Sequence, residues 1–332
     1  MSKQLKSSFM LLVTAIIWGV AFVAQSVGMD YMGPFTFNAV RFLMGSGAVW
    51  VFIWISHKGA AQRGMAKTAT MDGEPKEATA VPGDHGENVE KTYGENVAKT
   101  HAGRRTVLVG GLCCGAALAF STLIQQLGIM ESTVGKAGFL TAMYIVIVPI
   151  LRRLGGKKSS PIIWAGVALA VLGMYLLCVK GGMGGISRGD VFLTLGAVGF
   201  SFHILIIDYF SPRTDGTVMS AIQFLVAAAV SGIGMVLTET PTFSALWEGR
   251  VSLVYAGIMS CGVAYTFQIL GQKNMNPVVA SLILSLESVF SVLAGWVLLG
   301  QRMSARELLG CALMFAAVVL AQVPDTSSGR SS

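Results

Sequence analysis

Charge is scarce in this sequence. Only 12% of its 332 residues are Asp, Glu, Lys or Arg, about half the share of an ordinary soluble domain. Seven of the 17 acidic residues fall between Asp72 and Glu95, which leaves the rest of the chain nearly bare. A water-facing helix needs a polar face, so the scarcity argues against a soluble globule. Cysteine is equally uninformative as a scaffold. The five, Cys113, Cys114, Cys178, Cys261 and Cys311, all sit in apolar runs. They form neither a disulfide framework nor a zinc spacing. The glycine-rich stretches at Gly155–Gly156 and Gly181–Gly185 do not match a phosphate-binding loop. Paired acids, a metal cluster and a Ser/His arrangement are missing too. The sequence therefore reads as that of a protein that is not an enzyme and that uses no cofactor and no metal.

What fills the chain is apolar sequence: 53% of residues are hydrophobic and mean hydropathy is +0.66. Runs of about 20 apolar residues match a bilayer core of roughly 30 Å. The expected spans are Phe9–Gly28, Pro34–Ser56, Thr106–Leu127, Val134–Leu151, Pro161–Val179, Asp190–Tyr209, Thr217–Leu237, Val251–Gly271, Pro277–Leu299 and Ala305–Val323. In lipid the backbone has no water to bond, so these runs are expected to be helices. Alternating strands of a barrel are absent. Lys3 and Lys6 precede an apolar run that continues to about Gly28 without a small-residue cleavage site. An uncleaved first helix is the expectation.

The formal net charge is +7. A basic balance can indicate nucleic acid, but here the cations lie in loops and act as topology signals. With the N-terminus in the cytoplasm, 17 cations fall on that side and six on the other. Without the long loop the count is nine to six, led by Arg152, Arg153, Lys157 and Lys158. Both termini are expected in the cytoplasm of a cell whose cytoplasmic membrane holds the protein. The polar stretch 57–105 carries a tandem octad, GENVEKTY at Gly86–Tyr93 and GENVAKTH at Gly94–His101. It has too little apolar surface to offset its ordering entropy and is expected to be disordered.

The two halves resemble each other. TAIIWGVAF at Thr14–Phe22 matches GAVGFSFHI at Gly196–Ile204, and Arg41–Phe42 matches Gln223–Phe224. Ala119–Leu140 matches Ala264–Ser285 in spacing. Five helices per half make the second half enter from the opposite side. The expected fold is all-α: ten transmembrane helices as two inverted five-helix repeats, an architecture that suits alternating access.

The sequence WGVAF, the segment AGFLTAMYIVIVP at Ala137–Pro149 and SLESVFSVLAGWVLLG at Ser285–Gly300 resemble the EamA-like branch of the drug/metabolite transporter superfamily. The resemblance covers nearly everything but the polar loop. It implies residues 1–56 as the first two helices of repeat 1, 57–105 as an insertion, and 106–183 as the other three helices. Residues 184–324 then form repeat 2 and 325–332 a disordered tail. It also implies a secondary transporter of small metabolites, amino acids or drug-like solutes, often working outward. Two positions depart from the family pattern: Gln301, where an acid is common, and Ser288, where proline is common. The alternatives within transport are an uptake permease and an uncoupled facilitator; outside it, an intramembrane enzyme or a receptor-like scaffold. Expected partners are a small-molecule substrate, the lipid bilayer and protons, with no nucleic acid. A homodimer is compatible with the sequence.

Glu287 lies about ten residues into its span, roughly 15 Å deep. An ionised carboxylate there costs several kcal/mol unless paired or hydrated. It reads either as a proton-coupling or amine-binding acid or as a hydrogen-bonded structural one. Arg41, about seven residues deep, reads as a ligand for a substrate carboxylate, a partner of Glu287, or a snorkelling cation. His203, on a face with Gly196 and Gly199, reads as a proton relay or as a buried hydrogen-bonding group. Trp18, Phe22 and Gln25 share a face. With Asn38, Gln125, Gln126, Thr141, Tyr144, Gln223, Tyr265 and Gln268 they supply the mix of aromatics and amides typical of a small-molecule site. The same amides serve equally well as interhelical hydrogen-bond partners. Gly111 and Gly115 read as a packing motif.

Overall fold

Helix is the conformation that satisfies a backbone in lipid, and helix is what forms. The computed structural model describes residues 3–71, 86–132, 134–157, 159–178, 187–273, 275–299 and 304–321. Helix α1 spans Lys3–Gly28, α2 Pro34–Met71, α3 Gly86–Met130, α4 Val134–Thr141, α5 Tyr144–Leu154 and α6 Pro161–Cys178. Then follow α7 (Arg188–Phe210), α8 (Gly216–Thr238), a short α9 (Phe243–Glu248), α10 (Arg250–Val254), a π-helical segment (Tyr255–Tyr265) and α11 (Thr266–Gln272). The chain closes with α12 (Pro277–Leu284), α13 (Glu287–Leu299) and α14 (Ala305–Ala321).

Local sequence explains where helices start. Ser187 and Asp190 form a capping box on α7, Asp215 caps α8, and Asn276 caps α12 with Pro277 at its first turn. Each satisfies backbone N–H groups that a helix start leaves orphaned.

Among the described residues, eight segments are long and apolar enough to cross a membrane. They match eight of the ten expected spans. The other two, Pro161–Val179 and Ala305–Val323, correspond to α6 and α14, which are shorter and pack against each other. Elsewhere α3 packs on α7 and α8, α2 on α8 and the π-segment, and α1 on α13, the π-segment and α11. Small residues permit these approaches. A Cβ on Gly115 would press Val226 and the Gln223 carbonyl, and one on Gly19 would overlap the backbone of Phe290 and Ser291.

Three spans depart from the uniform helices expected. The run Val134–Leu151 is broken at Ala142–Met143, and the run Pro277–Leu299 at Ser285–Leu286. At each break the backbone tightens to bonds three residues apart: Ile145 N–H to Ala142 O at 3.1 Å, and Ser288 N–H to Ser285 O at 3.1 Å. Ser288, where the resembled family commonly has proline, also donates its hydroxyl to Gly138 O at 3.2 Å and so ties the second break to α4. The third departure is the π-helix inside Val251–Gly271, a rare conformation that tends to mark functional sites. Its irregular carbonyls are taken up by α1 and its own hydroxyl returns the contact: Thr14 donates to Ala264 O at 3.0 Å, Trp18 to Ser260 O at 3.4 Å, and Tyr255 to Ile17 O at 3.0 Å.

The polar segment 57–105 also differs from the expectation of disorder at its flanks. Helix runs to Met71 and resumes at Gly86, and residues 72–85 lie outside the described residues. Glu87 with Lys91, and Glu95 with Lys99, are spaced four apart with the acid first, a pattern that favours helix. The tail 325–332 and Gln301 likewise lie outside the described residues.

Candidate functional site

The breaks, the π-segment and the α1–α2–α3 group converge on one cavity. Helix α1 contributes Trp18, Phe22 and Gln25; α2 contributes Arg41; α3 contributes Gln125. The first break supplies Thr141 and Tyr144 from its two sides, α7 supplies Phe200, the π-segment Ser260 and Tyr265, and the start of α13 Glu287. Measured at the centres of a water-sized sphere, the space is about 30 Å³, enough for about two waters.

Glu287 is the first residue of α13, and Tyr144 the first residue of α5. The Tyr144 hydroxyl donates to Glu287 Oε1 at 2.9 Å, across 143 residues of chain. Arg41 is 2% exposed and Glu287 3%. Yet among the described residues no ion pair joins them. The Arg41 Nη1–H group donates to Gln25 Oε1 at 2.8 Å, and the guanidinium carbon lies 4.9 Å from the Phe42 ring centre and 5.4 Å from that of Phe37. Neither of the two partners weighed for Arg41 within the protein, snorkelling to the surface or pairing with Glu287, describes this geometry.

Aromatic rings wall the cavity. Trp18 tilts on Tyr265 with centroids 4.6 Å apart. Phe224 meets Tyr265 edge-on at 5.9 Å and stacks on Phe42 at 6.0 Å. Gln125 donates to Thr141 at 3.1 Å and Gln126 to the Gln25 carbonyl at 3.3 Å, which fixes the amides of the rim.

Eight of the twelve expected site residues border this space: Trp18, Phe22, Gln25, Arg41, Gln125, Tyr144, Tyr265 and Glu287. Four do not. His203 and Gln223 are wholly buried, hydrogen-bonded to each other at 3.0 Å, with the imidazole edge-on to Tyr265 at 6.0 Å. Asn38 is buried on α2, with neither amide atom partnered among the described residues. Gln268 is buried on α11 with its oxygen unpartnered there. Phe200 and Ser260 line the cavity without having been singled out. Phe200 was findable, because it stands opposite Trp18 when Gly196–Ile204 is laid on Thr14–Phe22. Ser260 carried no such signal, since the π-helix alters its helical phase. Among the described residues, no three His, Cys, Asp or Glu side chains come together as metal ligands would.

This arrangement, a polar and aromatic cavity among broken helices, suits a small solute. The model of the EamA-like transporter family matches residues 5–68 and 187–322, more than half of the chain. The chain belongs to the EamA-like transporter family. Similar proteins include an uncharacterized transporter of Archaeoglobus fulgidus, 24% identical over 96% of this chain and 86% of its own. Another is the uncharacterized inner membrane transporter YedA of Escherichia coli K12, 27% identical over 92% of this chain and 87% of its own. A crystal structure with 17% identity superposes with a TM-score of 0.67, covering 95% of this chain and 96% of that one. That likeness is one of fold. The protein is thus an all-α, multi-pass membrane protein of transporter type.

Proposed function

We propose that this chain is a secondary-active transporter that moves a small solute outward through the cytoplasmic membrane by alternating access around the cavity. The observation that carries the reading is that positions equivalent in the two halves, by sequence match or by place in a broken helix, touch each other. Phe42 and Phe224, paired by the internal sequence match, stack on one another. Tyr144 and Glu287 each begin the second piece of a helix whose first piece has eight residues, followed by a two-residue break, and they share a hydrogen bond. Contacts of this kind are expected along the axis relating two inverted five-helix repeats, where such transporters place their sites. The helix pairings agree: exchanging the halves turns α3 on α7 into the π-segment and α11 on α1, and leaves α2 on α8 and α6 on α14 unchanged.

On this reading the cavity of about 30 Å³ is a contracted state, since an amino-acid-sized solute needs its walls to part. Rocking of one repeat against the other widens it toward one side at a time. Among the described residues Glu287 is the only acid that lines the cavity, and it exchanges a proton as the site changes sides. On this reading both termini lie in the cytoplasm, the orientation that the cation count favours.

The test is solute flux into liposomes holding the purified protein, with and without an imposed pH gradient. Saturable flux of amino acids or small metabolites, enhanced by the gradient, is the expected result. Saturable flux indifferent to the gradient leaves an uncoupled facilitator, and no flux from folded protein removes transport.

A further inference from the structure

Arg41 is held by its neighbours in a way that leaves one edge of its guanidinium unused. Nη1–H is taken by Gln25 at 2.8 Å, while Nε–H and Nη2–H have no partner among the described residues. Those two groups are not an arbitrary pair. In a guanidinium Nε–H and Nη2–H lie on the same edge and point in parallel, the side-on fork that receives both oxygens of a carboxylate. The rings of Phe37 and Phe42 lie against the cation, and the residue borders the cavity.

A buried cation without a counter-ion is costly. The counter-ion within reach of the same cavity is Glu287, and the protein does not use it: Tyr144 holds Glu287 and Gln25 holds Arg41. Gln25 is neutral, so the charge of Arg41 is not cancelled by the group that holds it. Among the described residues nothing completes Arg41, which leaves that place to an occupant of the cavity. A singly charged carboxylate balances Arg41, whereas a doubly charged phosphate brings surplus negative charge.

Resting on the transporter reading above, the geometry points to a solute class: small organic carboxylates, bound side-on through Nε–H and Nη2–H of Arg41. α-Amino acids and 2-hydroxy acids share this group. They differ in the amine, which would fall within the same cavity as the Glu287 carboxylate.

The experiment measures the thermal unfolding midpoint of the detergent-purified protein titrated with three-membered sets. One set is L-alanine, L-lactate and L-alaninamide; the other is L-leucine, 2-hydroxy-4-methylpentanoate and L-leucinamide; methylphosphonate is the phosphate-like control. The expected result is saturable stabilisation by the acids and none by the amides or methylphosphonate. Stabilisation by amino and hydroxy acids alike means that the carboxylate suffices; stabilisation by amino acids alone means that the amine is read as well. Arg41→Lys keeps the charge and loses the fork, and should weaken acid binding about 10- to 100-fold. The wild-type comparison of acid with amide stands without the variant, should Arg41→Lys fail to fold. Amides binding as well as acids, methylphosphonate binding in their place, no stabilisation by any acid, or Arg41→Lys binding acids unchanged overturns the inference. Flux of the same compounds in liposomes separates the two claims. If amides move and acids do not, the transporter stands and the carboxylate site falls. If acids bind and nothing moves, the site stands and transport falls.

Discussion

The two broken helices have the same plan and different surroundings. Each has eight residues, a two-residue break and a second helix that begins with a polar side chain. But 83% of an 18-residue stretch of Pro277–Leu298 is buried, against 44% of Ala137–Leu154. The enclosed one carries the acid, Glu287; the one with a lipid-facing side carries the neutral Tyr144. A carboxylate is tolerable at this depth only where lipid does not reach it. A shared backbone plan thus sets where a polar group stands, and although the two spans are enclosed to different degrees, the two groups themselves are equally buried, each 3% exposed.

The most direct way to break the comparison is to make the two breaks chemically alike. Glu287→Gln leaves a neutral group on each. Flux should fall at least about tenfold, the order expected for a lost charged participant, and its pH dependence should flatten, while the protein elutes as a folded species. Unchanged flux and pH profile would mean that Glu287 is no different in role from Tyr144.

A second pair of variants probes the packing of α13. A Cβ on Gly19 meets Phe290 C at 2.7 Å and Ser291 N at 2.8 Å, which are backbone atoms, whereas one on Gly138 meets the Ser291 Oγ at 3.0 Å, which can rotate away. Gly19→Ala should therefore cost about 1–3 kcal/mol as overpacking, and Gly138→Ala distinctly less. Thermal melting in detergent decides; equal losses would show that α13 has slack on its α1 side. Tyr144→Phe removes the hydrogen bond to Glu287 and should cost about 1–2 kcal/mol, with flux retained in part. A loss of flux as deep as that of Glu287→Gln would show the hydroxyl to be a participant as well. The smallest effect is expected for Trp18→Phe. It deletes a long 3.4 Å bond to the π-segment, worth about 0.6 kcal/mol between membrane helices, and leaves the aromatic wall in place.

The spans were legible because apolar length is a property of the sequence itself. Glu287 and Arg41 were legible because a charge deep in an apolar run stands out without any structure. The breaks were not. Ser285 and Leu286 offer no glycine or proline to betray them, and the one proline in the matching run, Pro149, sits inside an intact α5. A helix breaks there because a partner break from the other half packs against it and Ser288 binds across to Gly138, which is tertiary information. The π-segment is likewise stabilised from outside, by Thr14 and Trp18 of α1. His203 and Gln223 show the opposite failure. Their polarity marked them as site residues, but they bond to each other, and neither lines the cavity.

The distance in sequence between the two breaks has a consequence for how the protein is made. An eight-residue piece rises about 12 Å, too little to cross a core of roughly 30 Å, so each broken helix has to enter the bilayer as one apolar run. Tyr144 is synthesised 143 residues before the carboxylate it will hold. At about 5–20 residues per second, ribosomes reach Glu287 on the order of ten seconds later. For that interval the first half sits in lipid with its central hydroxyl unclaimed, and the cavity comes into being only when the ninth apolar run arrives to close it.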